Sequence, residues 1–431
     1  MLQPQLPVGL NFQDEKEYRY FLYFREETAT RLSTGFEPSL WSTLIADACE
    51  EPAVRQLSVA VAALSLAMEN GPSRIGDAEK SSHHQYGLQR YGEALKGIQS
   101  MVVMGQDSMR TALISALLIF CLESLQGNPQ AIIHVQSAIE MTARRILNEP
   151  HAFYFSRIST LGTAGSPRIE QDLLTAFMRL DRPALTLLTR KRGTPQPDSE
   201  RIFNILCRQE RLEIPSGFAT ITEARVYLED IKWRILTDAH PPVELTKVWD
   251  TSPDSVASDH LSVAIQLKEW YEASGFLKSS SFSRTLAHWH DAFSPILNYA
   301  MSTNGESLFV AATILHIQAL AADLLTSGIF SEARTGLSQA NSIDEAKEES
   351  SEFPTVHAIV SMSRRLVAHH QFCTNFVFDV GIIPALVDVW LFCPFVELKI
   401  EAIEVLESMI PRREGYWDSR TAAKAGRRHL E

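Results

Sequence analysis

The chain has 431 residues, of which 45% are hydrophobic, and its formal net charge is -12. This length and apolar content predict a folded chain with a large buried core and argue against disorder over most of it. The negative net charge argues against a domain that binds nucleic acid by itself, because phosphate binding needs clustered cations.

The cysteines and the N-terminal residues indicate the cellular compartment in which the protein is expected. The nearest two of the five cysteines, Cys373 and Cys393, are 20 residues apart, whereas metal fingers and redox motifs need much closer spacing. Residues 1–20 lack the basic and apolar regions of a signal peptide. The apolar runs "ALISALLIFCL" and "IIPALVDVWLFCPFV" are too short to span a membrane or are broken by Asp388 and prolines. We expect a soluble intracellular protein without disulfides and without membrane contact.

The N-terminal part is predicted to be helical because its apolar residues recur with the period of 3.6. The aromatic stretch "YRYFLYF" at 18–24 is typical of an amphipathic segment that packs on a core. A helix after Pro52 is apolar around much of its circumference and is expected to be central. The next helix has one predicted apolar stripe of Tyr91, Leu95, Ile98 and Val102, and a third helix covers residues 109–125.

The sequence "QGNPQ" predicts a tight connection between antiparallel helices. Gly127 suits the left-handed position past a helix end, Asn128 can cap the next helix, and Pro129 fits its first turn. The stripe of the partner helix is Ile132, Val135, Ile139, Thr142 and Ile146. A further helical register follows at Leu173, Phe177 and Leu180.

The remaining chain is predicted as helices joined by polar loops. Loops are expected at 150–170, at 190–202, at "SGFLKSSSFS" and at the acidic stretch 342–352. Helices are expected at 222–238, 255–275, 307–325, 354–373, 381–392 and 396–410. In "MIPRREGYWDS", Pro411 and Gly415 indicate a helix stop, and Arg412 and Arg413 suit the negative end of the helix dipole. The whole pattern predicts an all-α fold, a large multi-helix domain of antiparallel helix pairs.

The sequence contains no motif that carries catalysis or nucleotide binding: there is no glycine-rich dinucleotide loop, P-loop, nucleophile elbow or H-E-x-x-H. The histidine pairs that resemble metal ligands are His83 with His84, His288 with His290, and His369 with His370. Adjacent histidines on a helix point about 100° apart and do not share a face. We therefore expect no catalytic, cofactor-binding or metal-binding residues, no cofactor, and no enzymatic activity.

Several segments, taken in order, resemble one protein family. They are "EPAVRQLSVAVAALSLA", "YGLQRYGEALKGIQSM", "ALLIFCLESLQGNPQAIIHVQSAIEM", "LLTAFMRLD" and "FVFDVGIIPALVDVWLFCPFVELKIEAIEVLESMIPRREGYWDS". Their order and spacing are similar to the regulatory region of fungal binuclear zinc-cluster transcription factors, which is called the fungal-specific transcription factor domain or middle homology region. The resemblance implies an all-helical regulatory domain over residues 38–425, with a subdivision near 150–170 or 190–202. It leaves residues 1–37 as a partly helical N-terminal segment and residues 426–431 as a solvated tail.

Two features depart from the family pattern. The six-cysteine zinc cluster that precedes this region in the family is absent, since the first 48 residues contain no cysteine. Pro394 stands where members often carry an arginine, and Lys399 with Ile400 stand where they often carry a basic pair. The unit formed by Arg412, Arg413, Glu414, Gly415 and Trp417 is shared, and the resemblance implies that its aromatic residues anchor the last segment of the chain to the helices.

The resemblance implies a transcriptional regulator or accessory co-regulator without its own DNA-binding module. Such a protein would act in the nucleus and cytoplasm on metabolic genes, including secondary-metabolite clusters, through a homodimer or a DNA-binding zinc-cluster regulator. A small-molecule effector is compatible with this reading, and direct nucleic-acid binding is not expected. Two alternatives stay open: a full zinc-cluster factor whose upstream exon was missed, and an enzyme or small-molecule-binding protein on the same helical scaffold.

Overall fold

A computed structural model describes most of the helical segments of the chain. The described residues are 12–33, 40–41, 50–68, 77–103, 109–128, 213–238, 280–326, 353–372, 375–409, 411–415 and 417–431, with further single residues between 131 and 141 and between 173 and 180. These residues are predominantly helical, which confirms the predicted all-α class. The predicted loops at 150–170, 190–202 and 342–352 and the predicted helix at 255–275 lie outside them.

The chain divides into two compact units. Unit 1 comprises residues 1–142, 165–180 and 375–379, and unit 2 comprises residues 143–164, 181–374 and 380–431. The described elements of unit 1 are α1 (Glu15–Tyr23), a π-helical turn (Phe24–Thr28), α2 (Ala29–Ser33), α3 (Pro52–Ala67), α4 (Asp77–Val103), α5 (Met109–Gln126) and the short strand β1 (Phe376–Val377).

Helix α3 is the centre of unit 1, as its all-round apolar sequence predicts. Every residue from Ala53 to Leu64 except Gln56 is buried, and α1, α4 and α5 all pack on it. Pro52 occupies the first turn, where the absence of an N–H costs no hydrogen bond. The aromatic segment before it packs inward as expected, with Tyr20, Phe21 and Phe24 buried.

The buried face of α4 differs from the predicted stripe. Leu95 is 39% exposed, whereas Tyr86, Gly87, Arg90 and Ala94 are buried. A Cβ atom at Gly87 would lie 3.0 Å from Cγ of Leu64 and 3.2 Å from the backbone oxygen of Ala60. The glycine therefore permits a close approach of α4 to α3, and this contact rather than the largest apolar side chains sets which face is buried.

The turn after α5 has the predicted glycine geometry. Gly127 adopts a φ of 75°, and its N–H donates to the backbone oxygen of Ser124 while the N–H of Asn128 donates to that of Glu123. These bonds satisfy carbonyls that the helix end would otherwise leave open. In the helix that follows, Val135 and Ile139 are buried, as are Leu173 and Phe177 farther along.

Unit 2 contains the remaining described elements. They are α6 (Ile221–Asp238), α7 (Ser280–Ala300), α8 (Glu306–Thr326), α9 (Pro354–Val367), α10 (Ile383–Phe392), α11 (Val396–Ser408), the strands β2 (Arg413–Glu414) and β3 (Trp417–Asp418), and α12 (Ser419–Leu430). Short 3-10 turns lie at Thr303–Gly305 and His370–Phe372. Within this unit α8 packs on α6, α7, α9 and α10, and α11 packs on α9, α10 and α12.

Three predicted boundaries in unit 2 are corrected. Helix α7 begins inside the predicted loop "SGFLKSSSFS", and α9 ends at Val367 rather than at residue 373. Helix α12 continues to Leu430 through the residues predicted as a solvated tail, with Ala425 and Gly426 buried. A Cβ atom at Gly426 would lie 2.7 Å from Cγ1 of Ile403, so α12 lies close against α11.

Two described helical stretches are long and apolar enough to cross a membrane by length and composition alone. They are Met109–Gln126 and Thr303–Thr326, and 61% and 67% of their apolar windows are buried inside the protein. That burial is what a core helix shows, since lipid-facing residues would be exposed in the isolated chain.

Candidate functional site

A histidine–carboxylate cluster joins α7 to α8. His290 and Asp323 form a polar contact of 2.6 Å between Nε2 and Oδ2. His316 lies two turns before Asp323 on the same face of α8, and its ring is perpendicular to that of His290 at a centroid distance of 5.3 Å. The Nδ1 atom of His316 is buried and has no hydrogen-bond partner among the described residues.

Burial determines the charge of His316. It lowers the pKa of this imidazole to about 4, and the neighbouring His290 lowers it further in the same direction. His316 is therefore neutral at physiological pH, and one of its ring nitrogens is available as a donor or acceptor inside the helix pair.

A second polar cluster lies on another side of α8, between α6 and the start of α10. The ammonium of Lys232 donates to Oε1 of Gln318 at 3.2 Å. The amide of Gln318 in turn donates to the backbone oxygens of Val380 and Gly381 at 2.8 and 3.2 Å. This chain of bonds connects α6 through α8 to the segment that leads into α10.

Asp388 is the one acidic residue within the apolar helix α10. The residue keeps some solvent exposure, yet its carboxyl is surrounded closely enough that burial raises its pKa to about 7, while Lys232 acts in the opposite direction. A carboxyl that is half-protonated near neutral pH can donate or accept a hydrogen bond, and a raised pKa of this kind is typical of functional sites.

The C-terminal hairpin holds a buried ion pair. Nε of Arg412 donates to Oε1 of Glu414 at 2.9 Å, and the two side chains are 3% and 0% exposed. The guanidinium also lies 3.7 Å from the ring centroid of Phe372, a cation–π contact, and donates to the backbone oxygen of that residue at 3.3 Å.

Glu414 also caps a helix. Its Oε2 accepts hydrogen bonds from the N–H groups of Gly381 and Ile383 at 3.1 and 2.8 Å, so a carboxylate sits at the positive end of α10. Gly415, at φ 59°, turns the chain between β2 and β3, and Arg413 pairs with Asp418 at 3.0 Å across the hairpin. Gly415 has the predicted left-handed backbone. Arg412 contacts Glu414 and Phe372, and Arg413 contacts Asp418, while a role of both arginines at the dipole of the preceding helix stays a prediction.

Unit 1 has its own polar network. The hydroxyl of Tyr91 donates to Oε1 of Glu123 at 2.9 Å, and Nε2 of His134 lies 3.2 Å from Oε2. Burial tends to raise the pKa of Glu123, but the bonds from His134 and Tyr91 outweigh it and lower the pKa. The network links α4 and α5 to the helix after the Gly127 turn and has the character of a structural cross-link.

The histidine pairs named from the sequence separate into different environments. His83 contacts the hydroxyl of Tyr20 at 2.6 Å, whereas His84 and His288 are exposed. His369 and His370 follow the end of α9, and with Glu306 they bring three potential ligand atoms within 4.8 Å of one another. This group was missed from the sequence because Glu306 is distant along the chain and the helix was expected to continue through both histidines.

The other missed residues have a recognisable signal in the sequence. Asp388 and His316 are single polar residues inside apolar runs, "IPALVDVWLF" and "ATILHIQAL". Such residues are buried by their neighbours and must find a partner or lose their charge. Their partners come from other helices and have no local signature.

Comparison with known proteins gave one match. Residues 19–206 match the model of the fungal specific transcription factor domain. Neither the curated proteins nor the solved structures gave a match to the chain. The matched region begins within α1 and includes α2 to α5. It contains four of the five resembling segments, and the C-terminal segment lies outside it. Residues 19–206 are therefore similar to the fungal specific transcription factor domain.

Proposed function

We propose that the chain regulates transcription through contacts with a protein partner rather than by binding DNA with residues of its own. The observation that carries this proposal is the match of residues 19–206 to the fungal specific transcription factor domain. The inference that a partner supplies the DNA contact is supported by the net charge of -12 and by the five scattered cysteines, which cannot form a six-cysteine zinc cluster. Catalysis has no part in the proposal.

The partner is a second copy of the chain or a zinc-cluster regulator that supplies the DNA contact. The targets are metabolic genes, by analogy with the family, and a secondary-metabolite cluster is the kind of target we would examine first. A function on transcription places the protein in the nucleus, with a cytoplasmic pool before import. Helical regulatory surfaces commonly bind partners through an apolar helix face or groove.

A reporter assay tests the proposal. The chain is expressed alone, with a full-length zinc-cluster partner, and as a fusion to an unrelated DNA-binding module. We expect the reporter to change with the partner and with the fusion, and to stay at its basal level with the chain alone. Failure of both the partner and the fusion to change the reporter would contradict a regulatory role.

The same assay distinguishes this proposal from its main alternative. If this sequence is the regulatory part of a longer zinc-cluster factor, mapping the 5′ end of the transcript would reveal an in-frame cysteine-rich basic exon. The longer protein would then change the reporter without any partner, and a variant lacking that exon would not.

Small-molecule binding is a second candidate, and it rests on the Lys232–Gln318–Asp388 cluster. A half-buried ammonium that interacts with a carboxyl of raised pKa can respond to a polar effector. The test measures the change in reporter output with nutrient supply, which is taken here as the response to an effector. It compares this response in wild type and in Asp388→Asn at equal protein level. We expect the variant to lose the response, and an unchanged response would remove this candidate.

A further inference from the structure

Glu306, His369 and His370 come from two different elements of unit 2. Glu306 is the first residue of α8, and the two histidines follow the last turn of α9. One ligand atom from each side chain lies within 4.8 Å of the other two. Helices α8 and α9 pack on each other, so the three residues are brought together by the packing of unit 2 and not by a single loop.

The backbone after α9 explains how two adjacent histidines can face the same point. The N–H of Ala368 donates to the backbone oxygen of Arg364 at 3.2 Å, which closes the helix, and the N–H of Phe372 donates to that of His369 at 2.9 Å in a 3-10 turn. Outside the α-helix the rule of about 100° between neighbours no longer applies. The two imidazoles are 4.6 Å apart by centroid and tilted by 32°.

One of the imidazoles is packed in place. The ring of His369 lies on the ring of Phe309, one turn after Glu306 in α8, at a centroid distance of 4.6 Å. A ligand whose ring is fixed by packing loses less conformational entropy on binding an ion. The side chains of Glu306 and His370 are exposed, so an ion can enter and can retain water at its open positions.

We propose that Glu306, His369 and His370 bind a divalent transition-metal ion, with zinc as the preferred metal. Two imidazoles and one carboxylate are the donor set that zinc accepts with water as a fourth ligand, whereas calcium and magnesium prefer oxygen ligands alone. The N–H of Gln371 makes a long 3.3 Å contact to Nδ1 of His369. Coordination through Nε2 would move the ring proton to Nδ1 and break this contact, and coordination through Nδ1 would replace it.

The ion would connect the start of α8 to the end of α9. Because the ligands come from two elements, metal binding favours the folded form of unit 2 over the unfolded chain, and the unfolding temperature rises with zinc concentration. This inference does not depend on the proposed regulatory function, because its readouts are binding and unfolding.

The test uses the full chain freed of metal with EDTA and dialysed into a non-chelating buffer. Zinc chloride is titrated by calorimetry, and thermal unfolding is followed with and without zinc. We expect one zinc per chain at this site and a rise in unfolding temperature that EDTA reverses. Calcium chloride should give neither signal.

Single substitutions locate the site. His370→Ala and Glu306→Gln each remove one ligand, and each should weaken zinc binding by about ten-fold or more. His288→Ala, at an exposed histidine on α7, is the matched control and should bind as the wild type does. Because Glu306 is exposed, its substitution by glutamine should preserve the fold even if an alanine at 370 does not, and circular dichroism checks both.

Three results would overturn the proposal. They are wild-type zinc affinity in both ligand variants, an equal loss of affinity in the His288→Ala control, and zinc binding without any change in the unfolding temperature. A cobalt(II) absorption spectrum gives an independent reading, since the tetrahedral bands of the wild-type complex should be lost in the two ligand variants.

Discussion

The carboxylate of Glu414 has three tasks at once. It neutralises the buried guanidinium of Arg412 and accepts the N–H groups of Gly381 and Ile383 at the start of α10. A Cβ atom at Gly381 would overlap this carboxylate, so glycine is required where the chain passes it. Loss of the charge at residue 414 would leave a buried cation without its counter-charge, which is the costly case for ion pairs in protein interiors.

We therefore expect Glu414→Gln to destabilise the protein by about 3–5 kcal/mol, the usual result of breaking a buried pair on one side. Urea unfolding measures the change in the free energy of unfolding. Glu404→Gln, at an exposed position of the neighbouring helix α11, is the control and should change stability by about 0.5 kcal/mol or less. Equal effects of the two substitutions would contradict the buried-pair account.

Asp388 gives a prediction on pH. Its folded pKa of about 7 lies above the ordinary value of 3.8, so the native state binds the proton more tightly than the unfolded chain. The stability that this tighter proton binding by Asp388 contributes is fully present below pH 3.8, and it is lost as the pH rises through about 7. In Asp388→Asn this loss between about pH 4 and pH 7 should disappear, so the unfolding temperature of the variant relative to the wild type should rise as the pH is raised through this interval.

Thermal unfolding in a series of buffers from pH 4.5 to about 7.5 measures this difference. The buried His316, whose pKa is lowered, acts in the opposite direction in both proteins and cancels in the comparison. Asp291→Asn, at an exposed position of α7, should reproduce the wild-type profile. If Asp291→Asn and Asp388→Asn change the pH profile equally relative to the wild type, the assignment to Asp388 fails.

At the scale of elements, two glycines of α4 form a matched pair. A Cβ atom at Gly87 would press on Leu64 and on a backbone oxygen of α3 that cannot move aside, whereas one at Gly92 would meet nothing within 4 Å. We expect Gly87→Ala to destabilise the protein by about 1 kcal/mol through overpacking. Gly92→Ala should stabilise it by about 0.4–1 kcal/mol, because alanine restricts the unfolded chain.

Chemical denaturation of the two variants and the wild type under one set of conditions shows whether each substitution raises or lowers the free energy of unfolding. The comparison is internal, since both substitutions add the same methyl group to the same helix. Two stabilising results would show that α3 and α4 can separate at Gly87 at little cost, contrary to the packing described above.

Helical periodicity predicted most elements because amphipathic burial is a local pattern. It identified α3, α5, α6, α8, α10 and α11 close to their observed bounds. It missed α7 altogether, because a run of serines at its start is typical of a loop and Pro295 interrupts the pattern. It also assigned the wrong face of α4, because a glycine that permits close helix packing carries no hydrophobic signal of its own.

At the scale of the molecule, unit 1 is completed by a segment from far along the chain. Phe378 packs edge-on against Trp41 and Phe120 at centroid distances of 5.7 and 5.8 Å, and its N–H donates to the backbone oxygen of Leu32 at 3.2 Å. Asn375 donates to the backbone oxygen of Met68 at 2.8 Å. The matched family region, 19–206, thus lacks part of the core that surrounds α5.

A fragment of residues 1–206 should therefore open more easily around α5 than the same residues do in the full chain. Removing a buried phenylalanine from a core costs about 3–5 kcal/mol. Hydrogen exchange of the α5 amides measures the difference, and Phe378→Ala in the full chain should increase exchange in the same helix. Equal protection in the fragment and in the full chain would contradict the prediction.

The long-range features were beyond prediction from local pattern. The sequence indicated a turn at Gly415 and unexplained aromatics after it, and the anchor role of Trp417 stays a prediction, while Tyr416 lies outside the described residues. Neither the pairing of Arg412 with Glu414 nor the return of Phe378 to unit 1 has a spacing rule, since each depends on which helices meet.

The cap on α10 has a consequence for genetics. Glu414 is translated after the helix whose first amides it accepts, so α10 is complete only in chains that have been read through to the hairpin. A premature stop codon just upstream of codon 414 removes Glu414 and leaves every residue of α10 in place. Such an allele should nevertheless behave as a null, because a product without this cap unfolds more readily and is degraded by the cell's proteases.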